Sequence, residues 1–136
     1  MVYAVIDTNI LVSSFITKNT TAATRKVVNR LFNGRIVPLY NEDIIAEYSE
    51  VLHRHKFHLA ENDICTLINF IKQFGMDSSR MSFDGKMPDE DDRVFYEVTL
   101  SKEDSFLVTG NLKHFPKTPQ VVTASQMVEI LETENH

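Results

Sequence analysis

The sequence predicts an α/β fold: a central parallel sheet of about four or five strands with helices flanking both faces. Two observations carry this expectation. Val2-Tyr3-Ala4-Val5-Ile6 is a continuous apolar run, and runs that do not alternate suit a strand buried on both faces, as in a parallel sheet. Further strand-like runs then alternate with segments of helical periodicity, the order that lays crossover helices on a parallel sheet. The chain has 136 residues and no Pro/Gly/Ser-rich linker, repeat or low-complexity tract, so residues 1–136 are expected to form one domain. Residues 132–136 are expected to be a flexible tail.

The elements follow in order. After the first strand, Thr20 to Phe32 reads as a helix carrying Val27, Val28, Leu31 and Phe32, and Asn33-Gly34 terminates it. Arg35 to Leu39 is a second strand. Asn41 can cap a helix that opens with Glu42 and Asp43, two acids suited to the positive end of the helix dipole. Ile64, Leu67, Ile68, Ile71 and Phe74 have the i, i+3, i+4, i+7 spacing of a third helix, on which Cys65 is expected to be an inert core thiol. Ser78 to Pro88 is loop-like. Val94, Phe95 and Val98 mark a fourth helix starting within the acidic run Asp89-Glu90-Asp91-Asp92. Ser105 to Thr109 and Gln120 to Val122 are two more strands, and Thr123 with Gln126 is a capping box for a last helix through Met127 and Leu131.

Composition narrows the functional classes. Hydrophobic residues are 43% and charged residues 24%, ordinary for a globular protein and too apolar for a disordered one. A single cysteine excludes a disulfide framework and a zinc ribbon. No apolar run approaches the roughly 18 residues of a membrane span, so a cytoplasmic protein without membrane contact is expected. The net charge of −5 argues against gripping nucleic acid by bulk charge alone.

In an open parallel sheet, ligands collect at the carboxyl ends of the strands. The first strand ends there in Asp7-Thr8-Asn9 and a later one in Thr109-Gly110-Asn111. Asp7 reads either as a crevice carboxylate or as a helix or turn cap. Glu47 borders the apolar face formed by Ile44, Ile45, Tyr48, Val51 and Leu52, where a carboxylate needs a partner, a metal or a path to water. Asp91 and Asp92 stand one turn ahead of Val94, Phe95 and Tyr96, at a helix N-terminus. The dipole accounts for some of these acids but not for four in a row. Together the acids suggest a carboxylate-lined site whose oxygen-only donors suit Mg²⁺ or Mn²⁺ rather than Zn²⁺.

These features resemble the PIN-domain family: an N-terminal strand ending in Asp7-Thr8-Asn9, a mid-chain helix bearing Glu47, an acidic helix start at Asp89 to Asp92, and the segment Val108 to Pro116 (Val-Thr-Gly-Asn-Leu-Lys-His-Phe-Pro). Within the family the chain is similar to the toxin components of bacterial toxin–antitoxin systems, the VapC-type toxins. The resemblance covers nearly the whole chain, in the right order. It implies a metal-dependent ribonuclease that hydrolyses RNA phosphodiesters to a 5′-phosphate and a 3′-hydroxyl. Asp7, Glu47 and Asp92 match the family's first, second and third acids, with Asp91 joining the metal ligands and Asp89 as a helper. Thr8, Asn9, Thr109 and Asn111 take supporting roles that orient ligands or water. The family's fourth acidic position is filled here by Asn111, which adds no charge and weakens the hold on a second metal. The implied partners are an RNA substrate, a cognate antitoxin that blocks the site, and a second copy of the chain.

Four of the 19 acids belong to this candidate site, and without them the charge is close to balanced. Arg54, Lys113 and His114 are the candidate nucleic-acid contacts, with Lys56 and Lys117 nearby in sequence. The segment from His53 to Lys56 also reads as a cationic helix C-terminus, and no Cys or acid completes a zinc site with His53, His55 and His58 at sensible spacing. Phe115-Pro116 reads as a loop anchor. Two rivals remain: a PIN-fold protein weakened in catalysis that binds RNA or a protein, kept open by Asn111, and an aspartyl-nucleophile phosphohydrolase. The latter chemistry needs a second acid two residues after the first, where this chain has Asn9.

Overall fold

The computed structural model of the chain describes residues 1–134. Five parallel strands, β1 (Val2–Ile6), β2 (Ile36–Tyr40), β3 (Met76–Asp77), β4 (Ser105–Val108) and β5 (Val121–Val122), form one sheet in the order β3-β2-β1-β4-β5. Helices α1 (Thr8–Ile16), α2 (Ala23–Phe32), α3 (Glu42–Leu52), α4 (Glu61–Phe74), α5 (Arg93–Leu100) and α6 (Ala124–Glu134) connect and cover it. The first strand is the central one. Ala4, Val5 and Ile6 are each 0% exposed, and since successive side chains point to opposite faces, both faces of the sheet are covered. This is the burial that a non-alternating apolar run demands.

The chain runs outward from β1 to β2 and β3, then returns to the other side of β1 for β4 and β5. The sheet therefore reverses its strand order between β1 and β4, and the carboxyl ends of these two strands open the crevice where such folds bind ligands. Their register, Tyr3 to Ser105 through Ile6 to Val108, brings the residues that follow them, Asp7 and Thr109, to the same edge.

Local chemistry explains most boundaries. Asn41 Oδ1 accepts from Ile44 N at 2.9 Å and starts α3. Gly34 closes α2 at φ +82°, a conformation that favours glycine. Gly75 ends α4 where no side chain fits, since a Cβ there would lie 2.4 Å from Ile71 O and 2.6 Å from Pro38 O. The capping box of the last helix is present in both directions: Gln126 N donates to Thr123 Oγ1 and Thr123 N to Gln126 Oε1.

Several expectations are corrected. The second helix begins at Ala23 rather than Thr20, because Asn19 Oδ1 accepts from both Thr21 N and Thr21 Oγ1 and holds a turn there. Cys65 is exposed, with Sγ donating to Glu61 Oε1 at 3.2 Å; Ile64, Leu67 and Ile71 form the buried face of α4, and Cys65 lies to one side of it. The expected tail is helical as far as Glu134, with Arg35 Nη2 donating to Leu131 O at 2.8 Å; residues 135–136 lie outside the described ones. Helix α1 and strand β3 have no counterpart in the sequence reading. Phe115 is buried, as a loop anchor should be. Among the described residues no helix is long and apolar enough to cross a membrane.

Candidate active site

Asp7 leaves the end of β1 and is 6% exposed. Its backbone N–H still belongs to the sheet, donating to Val108 O at 2.9 Å. It occupies the N-cap of α1, yet its side chain makes no capping hydrogen bond. The carboxylate instead turns across the switch point, where Oδ2 accepts from Thr109 Oγ1 at 2.7 Å and from Asn9 Nδ2 at 3.4 Å. Asn9 Oδ1 accepts from Gly110 N at 3.2 Å, so the Asn9 amide spans both strand ends. Of the two readings of Asp7, the crevice carboxylate fits this geometry and the helix cap does not.

Glu47 comes from α3, and its carboxylate accepts a hydrogen bond from Thr8 Oγ1. Its neighbour Tyr48 is fully buried and donates its hydroxyl to Ile6 O, which locks α3 against the end of β1. Asp92 lies at the foot of α5, half-buried, with its Oδ2 3.4 Å from His114 Nδ1. Thr8, Asn9, Glu47, Asp89, Asp91 and Asp92 line one open crevice of about 480 Å³. Arg54 reaches the same crevice while bonded to Glu50 at 2.9 Å.

The four-acid run divides by role. Asp89 Oδ1 accepts from Asp91 N at 3.0 Å and caps the short 3-10 turn Glu90–Asp92, as the dipole reading anticipates. Glu90 is bound by Arg93 and takes no part in the crevice. Asp91 and Asp92 remain for the site. Asn111 is exposed and tied to it through its backbone N–H, which donates to Thr109 Oγ1 at 3.0 Å. Lys113 is exposed on the next short turn, Leu112–His114.

Burial raises the Asp7 carboxyl from its ordinary 3.8 to about 6, and the charges of Asp92 and Glu47 push the same way against the Thr109 hydrogen bond. Glu47 is raised by burial first and then by Asp92 and Asp91. Asp92 is raised by burial and by Asp89, with His114 opposing. Among the described residues no Lys or Arg forms an ion pair with Asp7, Glu47 or Asp92. Negative charge is therefore concentrated, with Arg54 at the crevice wall and the His114 ring beside Asp92, and the acids offer oxygen donors, the chemistry that a hard divalent cation fits. Among the described residues no three acids, His or Cys stand closed up as a finished metal cage.

Two positioning residues escaped the sequence reading. Tyr48 counted only as part of an apolar face. Glu97, buried on α5, holds the loop from Ser78 to Pro88 by accepting from Arg80 Nε and Phe83 N, each at 2.9 Å. Its signal was present: a lone acid inside the run Phe95-Tyr96-Glu97-Val98 has no exposed face to occupy.

The family model of the PIN domain matches residues 3–113, a stretch that holds Asp7, Glu47, Asp92 and Asn111. No curated protein and no solved structure matches the chain. PIN domains are in general nucleases that use divalent metal ions, and the oxygen-lined crevice at the switch point is consistent with that chemistry. By this match over most of its length, the chain belongs to the PIN-domain family.

Proposed function

We propose that the protein is a Mg²⁺- or Mn²⁺-dependent endoribonuclease and the toxin of a toxin–antitoxin pair. The observation that carries this reading is that Asp7, Glu47 and Asp92 stand close enough to raise one another's carboxyls, with Glu47 and Asp92 lining the crevice and no Lys or Arg paired to any of the three among the described residues. Asp7, Glu47, Asp91 and Asp92 would hold the ion. When bound, the ion would supply water activation and neutralise charge on the attacked phosphate. Thr109 and Asn9 orient the Asp7 carboxylate, and Thr8 orients that of Glu47. Water oxygen attacks phosphorus and the bond to the 3′ oxygen breaks, so that oxygen takes a proton and the phosphate stays on the 5′ side. Arg54 and Lys113 supply positive charge near the strand's path, and His114 a ring donor or acceptor beside Asp92. The antitoxin is read as a protein that covers the crevice, and a second copy of the chain as the other partner.

The test is cleavage of a fluorescent single-stranded RNA with Mg²⁺ or Mn²⁺, with EDTA, and with Asp7→Asn. Cutting should need the metal and fall more than about a hundredfold in the variant, since even outer partners of metal ligands cost roughly 10–100-fold. Cutting that survives the substitution would come from a contaminant and would remove the support for this reading. A second reading, a binding module of the same fold, is favoured by the uncharged Asn111 at the fourth position. RNA binding indifferent to metal, without cutting, would decide for it.

A further inference from the structure

The turn Leu112–His114 has two sides. On one, His114 approaches Asp92. On the other, Leu112 and Lys113 line a separate pocket of about 450 Å³, within the roughly 300–1,000 Å³ of small-ligand sites. Phe115, Pro116 and Val121 complete a mostly apolar wall, and Lys117 adds a second cation. Leu112 is 42% exposed, an apolar side chain left at the surface. Thr118 also lines the wall.

We propose that this pocket is a nucleobase subsite beside the cleavage crevice. It takes the base of a nucleotide next to the scissile phosphate, with Lys113 and Lys117 toward the flanking phosphates. The inference rests on the RNA-cleaving reading. Three features favour a nucleotide over a peptide or a second copy of the chain. An apolar wall accepts the flat face of any base, while two lysines select an anionic backbone. The crevice rim carries Asp89, Asp91 and Asp92, which repel phosphate, so a strand leaving the cut site needs cations beside it. Finally, the turn that lines this pocket also carries His114 to Asp92 at the crevice wall, so one short segment of chain joins the two cavities.

The probe is each of the four nucleoside 5′-monophosphates, titrated at millimolar concentration into the metal-free protein and followed by amide chemical shifts. Saturable shifts should cluster at Leu112, Lys113, Lys117, Thr118 and Val121. Leu112→Ala should weaken them roughly tenfold, the effect of losing a buried apolar contact. Ribose 5-phosphate should shift Lys113 and Lys117 only weakly and leave Leu112 and Val121 still; equal shifts with it would mean anion attraction only and would overturn the proposal. So would silence with all four nucleotides, or shifts that follow protein concentration instead, the mark of self-association. Because the acids take no part, nucleotide binding here in a protein that cuts no RNA would keep the subsite and sink the nuclease reading. RNA cutting with silent amides would do the reverse.

Discussion

Thr109 governs the electrostatics of the crevice out of proportion to its size. Its hydroxyl donates to Asp7 Oδ2 at 2.7 Å and accepts from Asn111 N at 3.0 Å, so one atom orients the deepest carboxylate and anchors the following turn. That hydrogen bond opposes burial, which already raises Asp7 to about 6. Thr109→Val keeps the shape but deletes the donor. Asp7 should then ionise at still higher pH, and Mn²⁺ affinity at pH 7, read by calorimetric titration, should drop about 10–100-fold. Thr109→Ser should restore most of it. Affinity unchanged in the valine variant would show that Asp7 needs no such orienting partner.

Among the elements, α5 and the loop before it decide where Asp91 and Asp92 stand. Glu97 accepts from Arg80 and Phe83, Met81 N donates to Glu97 O at 3.0 Å, and Arg93 donates to Phe83 O and to Gly85 O. Glu97→Ala removes the acceptor for two of these bonds inside a buried helix. It should cost about 1–3 kcal/mol in urea denaturation, and it should lower RNA cleavage by misplacing Asp92 without touching a metal ligand. A stable variant of full activity would mean that the loop sets nothing at the site. Of this bolt only the burial of Glu97 was legible beforehand, not its partners, since it joins residues through space rather than by spacing. The same holds for Thr8 with Glu47, 39 residues apart, and Thr109 with Asp7, 102 apart. Strands β1 and β4 were legible because burial on both faces writes itself as an apolar run. Helix α1 was not, because Ile10, Leu11, Val12 and Ser14 are buried around nearly the whole helix and leave no stripe. Strand β3 has two residues, both exposed, and too little pattern to read.

At the scale of the whole molecule, the site works against the fold. Asp7 has an ordinary value of 3.8 and a folded value of about 6, so between these pH values the folded chain binds more protons than the unfolded one. Stability of the metal-free protein should therefore increase as pH falls toward 4 and be lost as pH rises through 6. Asp7 alone sets an upper bound of about 3 kcal/mol, with Glu47 and Asp92 acting in the same direction. At lower pH the trend reverses, because Glu61, Glu90 and Glu97 have lowered values and lose their interactions on protonation. A divalent ion binds only the ionised carboxylates, so it should stabilise most above pH 6 and narrow the gap. Urea midpoints at pH 5 and pH 8, in EDTA and in Mn²⁺, read both effects. Asp7→Asn should flatten the metal-free dependence, since its amide oxygen still accepts from Thr109. That variant should be more stable than the natural chain at pH 8 in EDTA and gain less from Mn²⁺, stability having been given up at this residue for the site. If it is instead less stable there, or if metal-free stability rises steadily from pH 5 to pH 8, the carboxylates are balanced by something other than a metal ion.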